Sequence, residues 1–258
     1  AIRDLQPRAE IGCCLHYRLF DPANEHSPLD RSSANLQDTF FNWQALQAME
    51  TGHFLPPLKL ILPPLTLAPG ARDFHGVNYY TREMVRFDPT RPAEFFGRRF
   101  VRPNSVRNDP GKDIDFGEIY APGLYRVLKS VYQRTRGNKP IYITENGFSD
   151  AVDDRRPQAL LEHLAMVHRA ISKGIPVRGY FYWSLVDNFE WAEGWGVRFG
   201  LIEVDPETQQ RIPRSSASMF GEICRANAIS EEIVERYAPH ALDTIFGTTN
   251  GASYQVPV

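Results

Sequence analysis

Residues 140–184 read PIYITENGFSDAVDDRRPQALLEHLAMVHRAISKGIPVRGYFYWS, and this stretch decides the fold. It opens on a short apolar run, Pro140 to Glu145, rich in β-branched and aromatic residues. A turn-rich segment follows. Leu160, Leu161, Leu164, Val167 and Ile171 then recur near the helical period, between a helix-opening Pro157 and Gly174. A second apolar run, Val177 to Ser184, comes directly after. Neither run alternates polar with apolar residues, which is the pattern of strands buried on both faces. Strand, helix and strand in that order predict a βαβ unit with parallel pairing.

The same pattern extends outward. Ala9 to His16 (AEIGCCLH) and Asp73 to Tyr80 (DFHGVNYY) read as two further strands. Helices are expected over Asp30–Met49, Gly123–Arg134 and Ser215–Ala226, in addition to Pro157–Ser172. The order is βα repeated four times. The 258 residues are about the size of a complete (β/α)8 TIM barrel, which needs eight strands. The surplus length lies in two long connections. Residues 52–72 are Pro- and Leu-rich and are expected to be ordered but irregular. Residues 87–121 are rich in Arg, Pro and Asp and are expected to form a surface loop of the kind that shapes a binding site. The strand count favours half a barrel.

An apolar fraction of 42% and a charged fraction of 23% suit a soluble protein with a packed core. The net charge of −2 offers no electrostatic footprint for nucleic acid or an anionic membrane. No apolar run approaches the roughly 18 to 20 residues of a membrane helix, and AIRDLQPRAEIG lacks the parts of a signal peptide. Cys13, Cys14 and Cys224 are expected to be buried free thiols, which suggests a cytoplasmic setting.

The chemistry concentrates in two places. Ile143-Thr144-Glu145-Asn146-Gly147 closes a strand, where a carboxylate would project into a barrel mouth. Residues 179–205, GYFYWSLVDNFEWAEGWGVRFGLIEVD, combine Trp183, Trp191 and Trp195 with Asp187, Glu190 and Glu193. Aromatic faces stack on the C–H faces of sugar rings, and carboxylates accept paired hydrogen bonds from neighbouring hydroxyls. The mixture suits a pyranose site, although the same residues could equally pack a core.

YITENG at 142–147, GVNYYT at 76–81, WSLVDNFEWAEG at 183–194, RFGLIEVD at 198–205 and RIPRSS at 211–216 occur together and in order. On these motifs the chain resembles glycoside hydrolase family 1, the β-glucosidase and β-galactosidase type. Arg214 stands where the family's closing element has Lys. The likeness runs to about Pro239, which sets a C-terminal half-barrel domain over 1–239 and a tail over 240–258. The resemblance implies a retaining β-glycosidase acting on terminal β-D-glycosides without metal or organic cofactor. It implies that Glu145 is the nucleophile and that Tyr80 hydrogen-bonds it, keeping it ionised and oriented. Asn78 would serve the hydrogen-bond network at the sugar. Trp183 would lie beneath the glycone ring, Glu190 would accept from O4 and O6, and Trp191 would donate to O3. Phe199 would line the pocket.

Retaining hydrolysis also needs a second carboxyl group about 5–5.5 Å from the nucleophile, acting as acid and base. The family's Thr-x-Asn-Glu-Pro motif, which supplies it, does not occur in these residues, and strands one to four of the family have no counterpart. Asn24-Glu25 lacks the flanking Thr and Pro and reads as a solvated loop. His16 closes a strand and could face the cleft. The expected partners are therefore a β-glycoside substrate and a complementary N-terminal half, or a second copy covering the open barrel edges. The alternative is a sugar-binding or assembly fragment that acts only with an N-terminal half.

Overall fold

A computed structural model describes residues 2–64, 72–137 and 139–247. Four parallel strands carry the architecture, in the order β1 (Gly12–Pro22), β2 (Phe74–Phe87), β4 (Ile141–Asn146) and β5 (Val177–Tyr182). A short strand β3 (Gly97–Phe100) runs antiparallel to the far end of β2, pairing Met84 with Phe100 and Phe87 with Gly97. A hairpin of β6 (Ile202–Val204) and β7 (Arg211–Pro213) lies apart from this sheet. The helices are α1 (Ile2–Leu5), α2 (Pro28–Asp38), α3 (Gln44–Thr51), α4 (Ala121–Arg134), α5 (Arg156–Ser172), α6 (Ser215–Ala226), α7 (Glu231–Tyr237) and α8 (Leu242–Phe246). The sheet does not close. Among the described residues β1 and β5 each pair on one side only, so the chain is part of a barrel with two open edges.

Helices cover one face of the sheet. Tyr17, Val77, Tyr79, Ile141, Ile143 and Val177 pack there against Leu124, Val127, Leu128 and Val131 of α4 and Val167 and Ala170 of α5. Strand side chains alternate between faces, so Cys14, His16, Asn78, Tyr80 and Thr144 turn the other way. Cys14 and His16 are exposed there, and Phe181 is 59% accessible. Cys14 and Cys224 are thus free but exposed, contrary to the buried thiols expected from their apolar surroundings. In Cys14 the cause is strand parity. A second core joins Leu160 and Leu161 of α5 to Met219 of α6, Val234 of α7 and Ala241. Packing therefore continues past Pro239. The rest of the expected tail, 248–258, and residues 65–71 of the first long connection lie outside the described residues.

Three departures from the sequence reading have a physical cause. β1 and β2 run to Pro22 and Phe87, well beyond the apolar runs. The added stretches mix buried apolar residues, Leu19, Phe20, Met84 and Val85, with charged residues that are paired. Arg82 meets Glu118 at 2.8 Å, both nearly buried, and Arg126 meets Asp21 at 2.7 Å. The 87–121 connection contributes β3 as well as loop. The helix expected over 30–49 is interrupted by a π-helical turn at Thr39–Trp43. That turn presents Asn42 to the sheet, where its amide accepts from Arg18 N at 3.0 Å and donates to Arg18 O at 2.7 Å. The β1–β2 ladder shifts register at this residue, so Asn42 satisfies backbone groups that the ladder leaves over. No helix among the described residues is long and apolar enough to cross a membrane.

Candidate active site

The site begins with a bulge. Val77 of β2 pairs with Ile143 of β4, but the next residue, Asn78, pairs with Glu145. Two residues of β4 therefore stand against one step of β2, which re-aims the strand. Without the bulge Glu145 would keep the parity of Ile143, which is fully buried against the helices. With it, Glu145 joins Asn78 and Tyr80 on the open face. Tyr80 Oη donates to Glu145 Oε2 at 2.7 Å, and Thr144 Oγ1 donates to Asn78 Oδ1 at 2.5 Å. Asn146 is wholly buried on the opposite side. It donates to the Tyr79 carbonyl at 2.8 Å and accepts from the Tyr180 hydroxyl at 2.7 Å. Glu145 is thus pinned between two fixed residues. Burial, followed by the hydrogen bond to Glu145 and the charges of Glu145 and Glu190, holds the Tyr80 phenol well above its ordinary range. At neutral pH it stays protonated and donates its proton to Glu145.

Tyr80 is itself supported. Phe199, only 3% exposed, meets its ring edge-on at 6.3 Å and meets Phe116 at 5.3 Å. Phe199 therefore reaches the site through Tyr80. His16 pairs with Asn78 in the β1–β2 register, and its ring stands edge-on to Tyr80 at 5.7 Å and to Phe41 at 5.4 Å. The sequence left His16 open between a cleft residue and a structural one; it stands on the site's face. Asn24 and Glu25 form a surface turn, with Asn24 Oδ1 accepting from His26 N at 2.9 Å.

The loops after β4 and β5 meet closely. A Cβ on Gly147 would fall 1.7 Å from the Trp183 carbonyl oxygen, so only glycine fits. Trp183 N donates to Asn146 O at 3.0 Å, and the Trp183–Ser184 peptide is cis. The three acids of the aromatic segment separate by environment. The Asp187 side chain is fully buried. It accepts from Gly200 N at 2.8 Å and from the Arg214 guanidinium at 3.0 and 3.2 Å, which explains the arginine of RIPRSS. Glu193 is buried against the backbone of residues 112–113. Glu190 remains partly accessible, with Asn188 Nδ2 at 3.0 Å from Oε2, and its charge is felt at Tyr80. Trp191 is 84% exposed. The structure therefore gathers Asn78, Tyr80, Glu145 and Glu190, seats Trp183 against the Glu145 loop, and leaves Trp191 projecting. The sequence reading missed Thr144 and Asn146 as supports, although both lie inside the quoted ITENG motif.

Glu145, Glu190 and Trp183 thus lie at or beyond the C-terminal ends of parallel strands on an incomplete α/β barrel. Residues 64–229 match the sequence profile of glycosyl hydrolase family 1, and the chain belongs to that family. It is 42% identical over 211 residues to a beta-galactosidase of Sulfolobus acidocaldarius, covering 80% of this chain and 41% of that protein. Among solved structures, a beta-glycosidase from Pyrococcus horikoshii superposes with a TM-score of 0.78 at 36% identity, over 91% of this chain and 53% of that one. A beta-glucosidase from Thermotoga maritima in complex with glucoimidazole gives 0.73 at 30% identity, over 88% and 54%. The chain thus spans about half the length of these relatives.

Proposed function

We propose that this chain supplies the nucleophile side of a retaining β-glycosidase, cleaving terminal β-D-glycosides through a covalent glycosyl-enzyme on Glu145. The observation that carries the reading is the 2.7 Å bond from Tyr80 to Glu145 at the mouth of the sheet. It leaves one carboxylate oxygen engaged by a donor and orients the other toward the open face. Glu145 attacks the anomeric carbon as the glycosidic C–O bond breaks, and water later releases the sugar from the ester. Trp183 forms the platform of the glycone, Glu190 accepts from its O4 and O6 hydroxyls, Trp191 donates to O3, and Asn78 completes the network. Protonation of the leaving oxygen needs a second carboxyl group, which we assign to a complementary N-terminal half. The two open strand edges and the exposed inner face favour such an assembly over a free-standing sugar-binding module.

A fluoro-sugar with an activated leaving group tests Glu145 directly, because it needs little acid assistance. Incubation followed by intact and peptide mass analysis is expected to place one glycosyl group on Glu145. Glu145→Gln is expected to show none. A wild-type chain that stays unlabelled while the same sugar binds would favour the binding module instead. An adduct that persists in Glu145→Gln would refute the assignment of the nucleophile.

A further inference from the structure

Glu190 and Trp191 sit on a turn that is closed mainly on itself. Glu190 N bonds Gly194 O at 2.8 Å, Glu193 N bonds Glu190 O at 2.9 Å, and Asn188 reaches Glu190. Trp191 occupies the left-handed region with φ 46°, a conformation that an indole-bearing residue adopts only when its surroundings impose it. The residue is 84% exposed, so side-chain packing does little to fix it. The third residue of the turn, Glu193, behaves differently. Its side chain is nearly buried. Its carboxylate accepts the backbone N–H of Lys112 and that of Asp113, the latter at 3.2 and 3.3 Å. A Cβ at Gly111 would lie 2.4 Å from Glu193 Oε2, so the loop is shaped to admit this carboxylate. The other end of that loop is also anchored. Asp109 N bonds Ser149 O at 2.8 Å, and Asp109 Oδ2 accepts from Ala151 N at 2.8 Å, both in the segment following Glu145.

We infer that Glu193 is a positioning residue for sugar recognition: it clamps the 109–113 loop to the turn that bears Glu190 and Trp191, and through Asp109 ties that turn to the segment carrying the nucleophile. The inference rests on the glycone roles proposed above for Glu190 and Trp191. Buried charge-assisted bonds of this type are the strong ones. Loss of two of them is expected to weaken sugar binding without altering the attack by Glu145.

The test separates binding from chemistry in the same fluoro-sugar labelling. Glu193→Ala is expected to raise the sugar concentration needed for half-maximal labelling about tenfold or more, the equivalent of one such bond. The limiting labelling rate should stay within about threefold of wild type. Gly111→Ala is expected to act in the same direction, because its methyl group displaces the carboxylate, and Glu193→Gln should recover part of the loss through its remaining acceptor. A fall in the limiting rate with unchanged concentration dependence would overturn the inference. Hydrogen exchange gives a readout independent of the glycosidase reading. In Glu193→Ala the amides of Lys112, Asp113, Glu193 and Gly194 should exchange faster, while those of β2 and β4 stay protected. If wild type is not labelled at all, the proposed function fails, and unchanged exchange over 190–194 would then separately sink the clamp.

Discussion

The two faces of one sheet obey different rules in this protein. On the helix-covered face, Val77, Tyr79, Ile141 and Ile143 have at most 1% of their surface exposed, and the Tyr79 hydroxyl donates to the Tyr120 carbonyl at 2.8 Å. On the opposite face, a few ångströms away, Tyr80 donates to Glu145 and Thr144 donates to Asn78, and His16, Cys14 and Phe181 meet solvent. The first face is built to hold the chain together. The second leaves polar and apolar groups open to solvent. The difference follows from strand parity, which gives alternate residues of each strand opposite duties.

Four measurements can break or sharpen that contrast. The largest effect is expected on the covered face. Leu128→Ala, at a fully buried site against the strands, should cost about 2–5 kcal/mol in denaturant unfolding. A loss no greater than that of an ordinary surface change would mean that the half-barrel core is loosely packed. On the open face, Tyr80→Phe should leave stability nearly unchanged but slow labelling of Glu145. Removing a bond to a charged acceptor costs about 1.5–3 kcal/mol, or roughly 10- to 150-fold in rate. An unaffected rate would remove Tyr80 from the site.

The third measurement follows stability as pH falls. His75 and His163 are both buried on the covered side. Burial lowers them to about 3 and about 4 respectively, with the Arg72 guanidinium adding to the effect at His75. In the unfolded chain a histidine titrates near about 6.5. Below that pH the unfolded state binds more protons, so this contribution to stability is complete above about 6.5 and is lost on acidification. The loss per histidine is up to about 1.4 kcal/mol per pH unit, continuing to about pH 4 for His163 and about 3 for His75. Unfolding midpoints recorded from pH 7 to 4 should show it, and His163→Gln should flatten the slope. A pH-independent midpoint would contradict the neutral, buried state of both rings. The smallest effect belongs to the open face again. Phe181→Ser should change stability by no more than about 0.5 kcal/mol but reduce self-association in sedimentation velocity. Unchanged association would show that this edge is not sticky.

The sequence was most legible where burial and period agree. Helix α6 runs over Ser215–Ala226 and α5 over Arg156–Ser172, one residue longer than its apolar pattern suggested. All four parallel strands were found from their apolar cores. The reading stopped short where polar residues are satisfied by distant partners. Arg82 extends β2 because Glu118, 36 residues away, neutralises it. The π-helical turn at Thr39–Trp43 was invisible because its cause, the unsatisfied backbone at Arg18, lies on another element.

The candidate site divides in the same way. The residue types, their order and the strand ends that carry them came from the sequence alone, because local patterns set which segments are strands and motifs set which acids recur beside them. Which way each acid points was decided only in three dimensions. Register shifts turn Glu145 to the open face, Arg214 claims Asp187, and the backbone of residues 112–113 claims Glu193. Those outcomes depend on bonds between residues far apart in the chain, and such bonds have no signature in the neighbours of any one residue.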